Sequence, residues 1–323
     1  MVQEKEIATV LSLEPRDDFV ETPYIRETME RAMAYLQAGF PIHFRGVAGT
    51  GKSTLAMHAA SQLGRPVMLI HGDDEFSTSD LVGGEYGWRA KKVIDNFIHS
   101  VLKTEEEMHK SWTDNRVTIA CERGFTLIYD EFTRSRPEAN NVLLSILEEK
   151  MLNFPRGRGR YDDHLEVHPD FHAIFTSNPQ EYAGVHKSQD ALADRMITID
   201  LDYQDYETEV AITCAKSGIP QPNAERIVGL VRDLRENPHY PSKPSVRAAV
   251  MIARVLANNN SIRGITDPLF PRICLDVLSP RRSEDGQSQN GRDRAKMLLE
   301  KAIGTYRLTS TTVPLQEEVF PNG

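Results

Sequence analysis

The stretch Gly46-Val47-Ala48-Gly49-Thr50-Gly51-Lys52-Ser53 constrains this chain more than any other. It fits GxxxxGK[ST], a pattern that carries weight only where a strand leads into it and a helix leaves it. Both flanks comply. Pro41–Arg45 is a short apolar run of strand type, and Ser53–Ala60 has the small and apolar residues that open a helix. The glycines let the backbone curl with its N–H groups inward, forming an anion nest at the helix's positive end. Lys52 would reach the β- and γ-phosphates and Ser53 would hold Mg²⁺. The run Gly46–Thr54 is thus the expected nucleotide contact. A Gly-rich turn with no ligand is the plainer alternative, and the flanks count against it.

A second nucleotide element is expected at Gly124-Phe125-Thr126-Leu127-Ile128-Tyr129-Asp130-Glu131, where strand formers end in two acids. The carboxylates then fall at the C-terminal tip of a buried parallel strand, where α/β sheets place their ligands. Asp130 would hold the Mg²⁺ shell and Glu131 would polarise the attacking water. The plainer alternative is a strand followed by an acidic helix cap. Phe171–Pro179 is another buried strand, and Asn178 at its tip could orient that water, although a turn residue before Pro is the simpler role. Arg195, ahead of a last strand Ile197–Leu201, is suited to reach a neighbouring subunit's nucleotide; otherwise it is a surface ion-pair residue. Arg247 sits in the first turn of a helix capped by Pro244-Ser245. Positive charge there opposes the helix dipole, which makes sense if an anion lies nearby.

Composition sets the outer limits. With 323 residues there is room for a large α/β domain and a smaller one. No apolar run nears the roughly 18 residues of a membrane span, and Met1–Glu14 mixes Glu and Lys in a way unlike a signal peptide. The dispersed cysteines Cys121, Cys214 and Cys274 suggest buried thiols in a reducing cytoplasm. A net charge of −9 disfavours bulk binding to nucleic acid or anionic membrane. The Pro155–Arg160 run reads as the basic tip of a hairpin over 151–168, a solvated or protein-contacting turn more than a nucleic-acid contact.

Periodicity predicts the remaining elements. A helix is expected over Tyr24–Ala38, a strand over Pro66–His71, and a polar loop over Ser77–Gly84. Residues 90–111 read as a charged helix with Val93, Ile94, Phe97, Ile98, Val101 and Leu102 on one side, and Pro137–Lys150 as another. From about Asp205 the chain turns helical, over 205–217, 223–236 and 244–258. An apolar segment Pro268–Leu278 follows. Residues 279–294 read as disordered, with a last helix over Ala295–Arg307. The expected domains are an N-terminal arm (1–22), an α/β nucleotide-binding domain (23–203), a helical lid (204–280) and a polar, partly disordered tail (281–323).

The ordered set of phosphate loop, strand-end acids, strand-end Asn, Arg before the last strand and helical segment with its own Arg resembles an AAA+ ATPase. The hairpin before the Asn178 strand points to the MoxR group. Gly124–Glu149 and the run from Tyr24 to Ala56 resemble the gas vesicle branch of the CbbQ/NirQ/NorQ/GvpN family. The resemblance implies a P-loop NTPase with a parallel sheet flanked by helices plus a small all-helical lid. It implies ATP and Mg²⁺ as cofactors, Lys52 and Ser53 with the nucleotide, and Asp130 and Glu131 as Walker B. It also implies Asn178 as sensor 1, Arg195 as arginine finger and Arg247 as sensor 2, with Arg134 and Arg136 at a subunit interface. The implied function is an ATP-hydrolysing assembly factor, cytoplasmic and associated with gas vesicles. It would work as a homo-oligomer, a ring or smaller, on gas vesicle shell or accessory proteins. Two alternatives stay open: a CbbQ/NorQ-like ATPase activating a metalloenzyme or Rubisco, and a nucleotide-dependent binding scaffold.

Overall fold

The computed structural model describes residues 10–11, 19–94, 104–154, 163–179, 190–258, 264–279 and 289–308. These fall into two compact units. The first holds residues 28–47 and 51–201 with the start of the chain; the second holds residues 16–27, the tripeptide Ala48–Thr50 and residues 202–323.

The first unit is built on a six-stranded sheet. Its strands are β1 (Val10–Leu11), β2 (Ile42–Gly46), β3 (Val67–His71), β6 (Thr126–Asp130), β9 (His172–Ser177) and β10 (Ile197–Leu201). Their spatial order is β1-β3-β6-β9-β2-β10, parallel throughout except for β1, which pairs antiparallel with β3. The expected N-terminal arm therefore contributes an edge strand, with Val10 opposite Met68 and Leu11 opposite Val67. A parallel sheet is covered on both faces, so its strands are apolar with little alternation. All five residues of β6 are buried, and β2 is buried except at Arg45. Helices α1 (Pro23–Gln37), α2 (Lys52–Gln62) and α4 (Arg116–Arg123) fall among these strands in the chain.

Several expectations are corrected. Ser77–Gly84 is not a plain loop: Thr78–Val82 forms a short helix, α3, whose Ser77 and Asp80 make a reciprocal capping box. The charged helix expected over 90–111 is not formed among the described residues. Instead β4 (Gly83–Ile94) and β5 (Thr104–Asp114) pair antiparallel, and the middle of the expected helix (95–103) lies outside the described residues. The register places Lys91 opposite Glu107 and Lys92 opposite Glu106. Strand pairing of this kind overrides a local helical period. Gly83 opens the hairpin with φ 116, and a Cβ there would lie 2.3 Å from the Thr113 carbonyl.

The helix expected over Pro137–Lys150 is divided into α5 (Pro137–Asn140) and α6 (Val142–Glu148). Asn140 explains the break, because its buried side chain turns back to donate to the Phe132 carbonyl at 3.1 Å. The hairpin expected over 151–168 is present as β7 (Met151–Asn153) with β8 (His164–Glu166); its basic tip lies outside the described residues.

The second unit packs α8 (Tyr206–Ser217), α9 (Gln221–Glu236), α10 (Val246–Asn258), α11 (Phe270–Leu278) and α12 (Gln289–Leu308) around one core. Ile227, Val231, Ile252, Leu256 and Phe270 are at its centre. The last helix begins at Gln289 rather than Ala295, so 289–294 are helical where disorder was expected. It buries Ala295, Leu299 and Ile303 at i, i+4 spacing, and Tyr306 lies over Gly229, where a Cβ would come within 2.7 Å of its ring. Among the described residues no helix is long and apolar enough to cross a membrane.

Candidate active site

The C-terminal ends of β2, β3, β6 and β9 bring most of the expected residues together. After β2 the chain turns through Gly49 (φ 85) and Gly51 (φ 88) into α2. That left-handed backbone costs glycine nothing and strains any residue with a Cβ. Lys52, at the first position of α2, is buried, and its ammonium donates to the Gly46 carbonyl at 2.8 Å and the Val47 carbonyl at 2.9 Å. A buried cation at a helix start, beside left-handed glycine turns, is the chemistry of a phosphate site, and these residues fit one.

Beside it, Ser53 Oγ donates to Asp130 Oδ1 at 2.7 Å. A helix-borne hydroxyl next to a strand-end carboxylate is a donor set that fits Mg²⁺, which prefers hard oxygen ligands and keeps several waters. Asp130 is also held by Thr176, whose hydroxyl donates to the same Oδ1 at 2.5 Å, and His71 Nδ1 lies 3.5 Å from Oδ2. Strand register explains the grouping: His71 is opposite Asp130 on the β3–β6 pair, and Tyr129 is opposite Phe175 on the β6–β9 pair.

Glu131 follows β6 with φ 53, a conformation non-glycine residues rarely adopt. Three contacts over-determine it. Its N–H donates to Thr176 Oγ1 at 2.9 Å, its carbonyl accepts from Arg134 N at 2.9 Å, and that carbonyl presses on Gly72. A Cβ on Gly72 would lie 2.0 Å from the Glu131 carbonyl oxygen. Strain retained by its surroundings is a mark of functional positions. The Glu131 carboxylate itself meets Arg134 Nη1 at 3.3 Å. Beneath this turn, the Tyr129 hydroxyl lies 2.7 Å from Ser135 Oγ and 3.0 Å from Asn140 Oδ1, and burial pushes the phenol up to about 12.

Asn178 stands just past β9, buried, on the strand adjacent to β6. Arg195 is placed otherwise. It follows α7 (Asp190–Ala193), and its Nε donates to Glu148 Oε2 at 2.7 Å, so in this state the guanidinium is engaged by a carboxylate of α6 and not by the strand-end acids. Arg247 is the second residue of α10 in the helical unit and is exposed. Arg136 caps α5 and is exposed.

Below the site His43 is buried on β2, with Nε2 2.8 Å from Ser177 Oγ and Nδ1 3.2 Å from Thr198 Oγ1. Burial first, then the charge of Arg45, lowers its pKa to about 4 against the pull of Asp200, so the ring is neutral near pH 7. Sequence reasoning missed Thr176, His71, Gly72 and Glu148. Thr176 was within reach of pattern reading, since parallel pairing of two strands ending in "YDE" and "FTSN" aligns it beside Asp130; His71 at the end of β3, Gly72 just after it and Glu148 at the end of α6 carry no motif of their own.

Comparison with known proteins bears on the fold and the family. The model of the AAA domain (dynein-related subfamily) matches residues 41–196, which contain the phosphate loop, both acids, Asn178 and Arg195. The gas vesicle ATPase GvpN of Ancylobacter aquaticus is 50% identical over 92% of this chain and 84% of its own length. The gas vesicle ATPase GvpN of Haloferax mediterranei is 40% identical over 89% of this chain and 81% of its own. Among solved structures, the RuvB Holliday junction branch migration motor of Thermotoga maritima superposes with a TM-score of 0.52, covering 94% of this chain and 86% of that one at 17% identity. At that identity the likeness concerns the fold alone. A parallel sheet with a phosphate loop, matched over nearly its whole length by relatives of this similarity, places the chain in the GvpN family of AAA+ ATPases.

Proposed function

We propose that this ATPase works in gas vesicle formation, hydrolysing ATP between subunits of a homo-oligomer and using the cycle to remodel a shell or accessory protein. The observation that carries the reading is the tie from Ser53 to Asp130 to Thr176 beside the buried Lys52, which supports a site for a metal-bound triphosphate. Lys52 and the N–H groups of Gly46–Thr54 neutralise the phosphates. Ser53 and Asp130 hold Mg²⁺, whose bound charge offsets that of the β- and γ-phosphates. Glu131 takes the proton of the attacking water, Asn178 orients that water, and Arg195 of one subunit stabilises charge developing at the neighbour's γ-phosphate. For that, Arg195 exchanges Glu148 for phosphate, a swap within reach because the pair is partly exposed and such pairs are weak.

The test is replacement of the chromosomal copy by Glu131→Gln in the host, with gas vesicles viewed by electron microscopy. Loss or stunting of vesicles, with the variant protein present at normal level, is expected. Normal vesicles would remove ATP hydrolysis from their assembly.

A further inference from the structure

The second unit contains a buried ion pair that the proposed chemistry does not use. Glu209 of α8 and Arg235 of α9 are 1% and 6% exposed, with Oε1 and Nη2 2.7 Å apart. They form a charge contact without the alignment of a hydrogen bond. Replacing such a pair by apolar residues of similar volume is often neutral or stabilising, so stability alone gives no reason for it. Position does.

The contacts on either side run to the phosphate loop from two directions. On one side Glu209 Oε2 lies 3.3 Å from Arg232 Nη1, and the same Nη1 donates to the Gln204 carbonyl at 3.1 Å. The buried Gln204 amide then donates to the Thr50 carbonyl at 2.7 Å. Its Oε1 meets no donor among the described residues, so the Thr50 carbonyl anchors the amide. On the other side Arg235, its guanidinium 4.2 Å over the Tyr203 ring, donates through Nε to the Pro244 carbonyl at 2.7 Å. Ser245 follows, and its Oγ fills the place of a Cβ on Gly49, 2.0 Å from where that atom would stand. Gly49 and Thr50 are adjacent, so the contacts close a ring through the loop, and every member belongs to the same compact unit.

We infer that Gln204 and the Glu209–Arg235 pair are positioning residues: they set the conformation of Gly49-Thr50 and tie it to Ser245, two residues before Arg247. This rests on the reading of Gly46–Thr54 as the nucleotide cradle. A shift of the tripeptide misplaces N–H groups that contact phosphate in ground and transition states alike. Loss of such uniform binding raises KM and spares kcat.

The experiment uses the full chain and compares wild type, Gln204→Ala and the double variant Glu209→Leu/Arg235→Met by steady-state phosphate release over a range of Mg-ATP, with circular-dichroism melts. Both variants are expected to fold and to raise KM about tenfold with kcat within about threefold. A merely structural ring gives folded variants with wild-type KM, which overturns the inference. Should the double variant unfold, Gln204→Ala decides by the same criterion. A KM unchanged while kcat collapses also overturns it. Wild type that releases no phosphate removes the cradle reading itself and the inference with it, a result distinct from active wild type with unshifted variants.

Discussion

Ser53 and Asp130 are 77 positions apart in the chain and 2.7 Å apart in space, hydroxyl donating to carboxylate. One lies in the first turn of the helix after the phosphate loop and the other ends β6, so the contact exists only when loop and sheet are both in place. Asp130→Asn keeps size and hydrogen bonding but removes the charge proposed to face Mg²⁺. It is expected to lower Mg-ATP turnover by at least about a hundredfold, given what metal-assisted charge stabilisation contributes. Nucleotide binding in EDTA should stay unchanged. Titration of ATP with and without Mg²⁺ checks this, and a variant that keeps its Mg²⁺ response would count against Asp130 in the metal shell.

Glu131→Gln keeps the side chain's shape and loses its basicity. Turnover should fall about 10²–10⁴-fold, the usual contribution of general-base catalysis, with ATP affinity intact. Gly72→Ala reaches the same residue from the back, since the new methyl would meet the Glu131 carbonyl at 2.0 Å. Overpacking against backbone is expected to cost about 1–3 kcal/mol in urea unfolding and to lower turnover as well. Wild-type stability in Gly72→Ala would mean the turn is looser than described.

Arg195 and Glu148 make a partner-exchange prediction. Arg195→Ala should bind ATP normally and lose about 10³-fold in turnover, the scale of an arginine finger. Mixing it with Glu131→Gln subunits should restore part of the activity, because mixed interfaces join an intact finger to an intact base. No recovery in the mixture would argue against action in trans. Glu148→Gln, which removes the carboxylate charge from beside the guanidinium, should not lower turnover.

The His43 ring predicts a pH dependence of stability. Its pKa is lowered from 6.5 to about 4 in the fold. Above pH 6.5 the ring is neutral in both states and the contribution is fully present. Below 6.5 the unfolded chain takes up a proton that the folded chain refuses until about pH 4, so stability is lost across that window. The loss amounts to about 3 kcal/mol. Urea titrations from pH 7.5 to 4.5 should show a flatter curve for His43→Gln than for wild type. Parallel curves would contradict this.

Much of the fold was legible because its signals are local. The phosphate loop, the acid-tipped strand and the helical periods of 205–258 each declare themselves within ten or fifteen residues, and the structure places a strand or helix at each. The hairpin of Gly83–Asp114 did not, because Val93, Ile94, Phe97 and Ile98 share a helical spacing while its strands are fixed by a partner some twenty residues away. The start of α12 was hidden by its polar composition; what holds that helix is burial of Ala295, Leu299 and Ile303 against other helices. Within the site, residue types with a required chemistry were found and their supports were not. Thr176 and Gly72 act through register and close approach, and Glu148 through a pairing that only the folded chain creates.

The central claim is that the curl of backbone around Lys52 grips a triphosphate. Titration of Mg-ATP into wild type and Lys52→Ala, followed by phosphate release on the same samples, tests it most directly. Saturable binding and turnover are expected in wild type, and loss of both in a Lys52→Ala protein that still folds. Equal ATP affinity in the two proteins would contradict it.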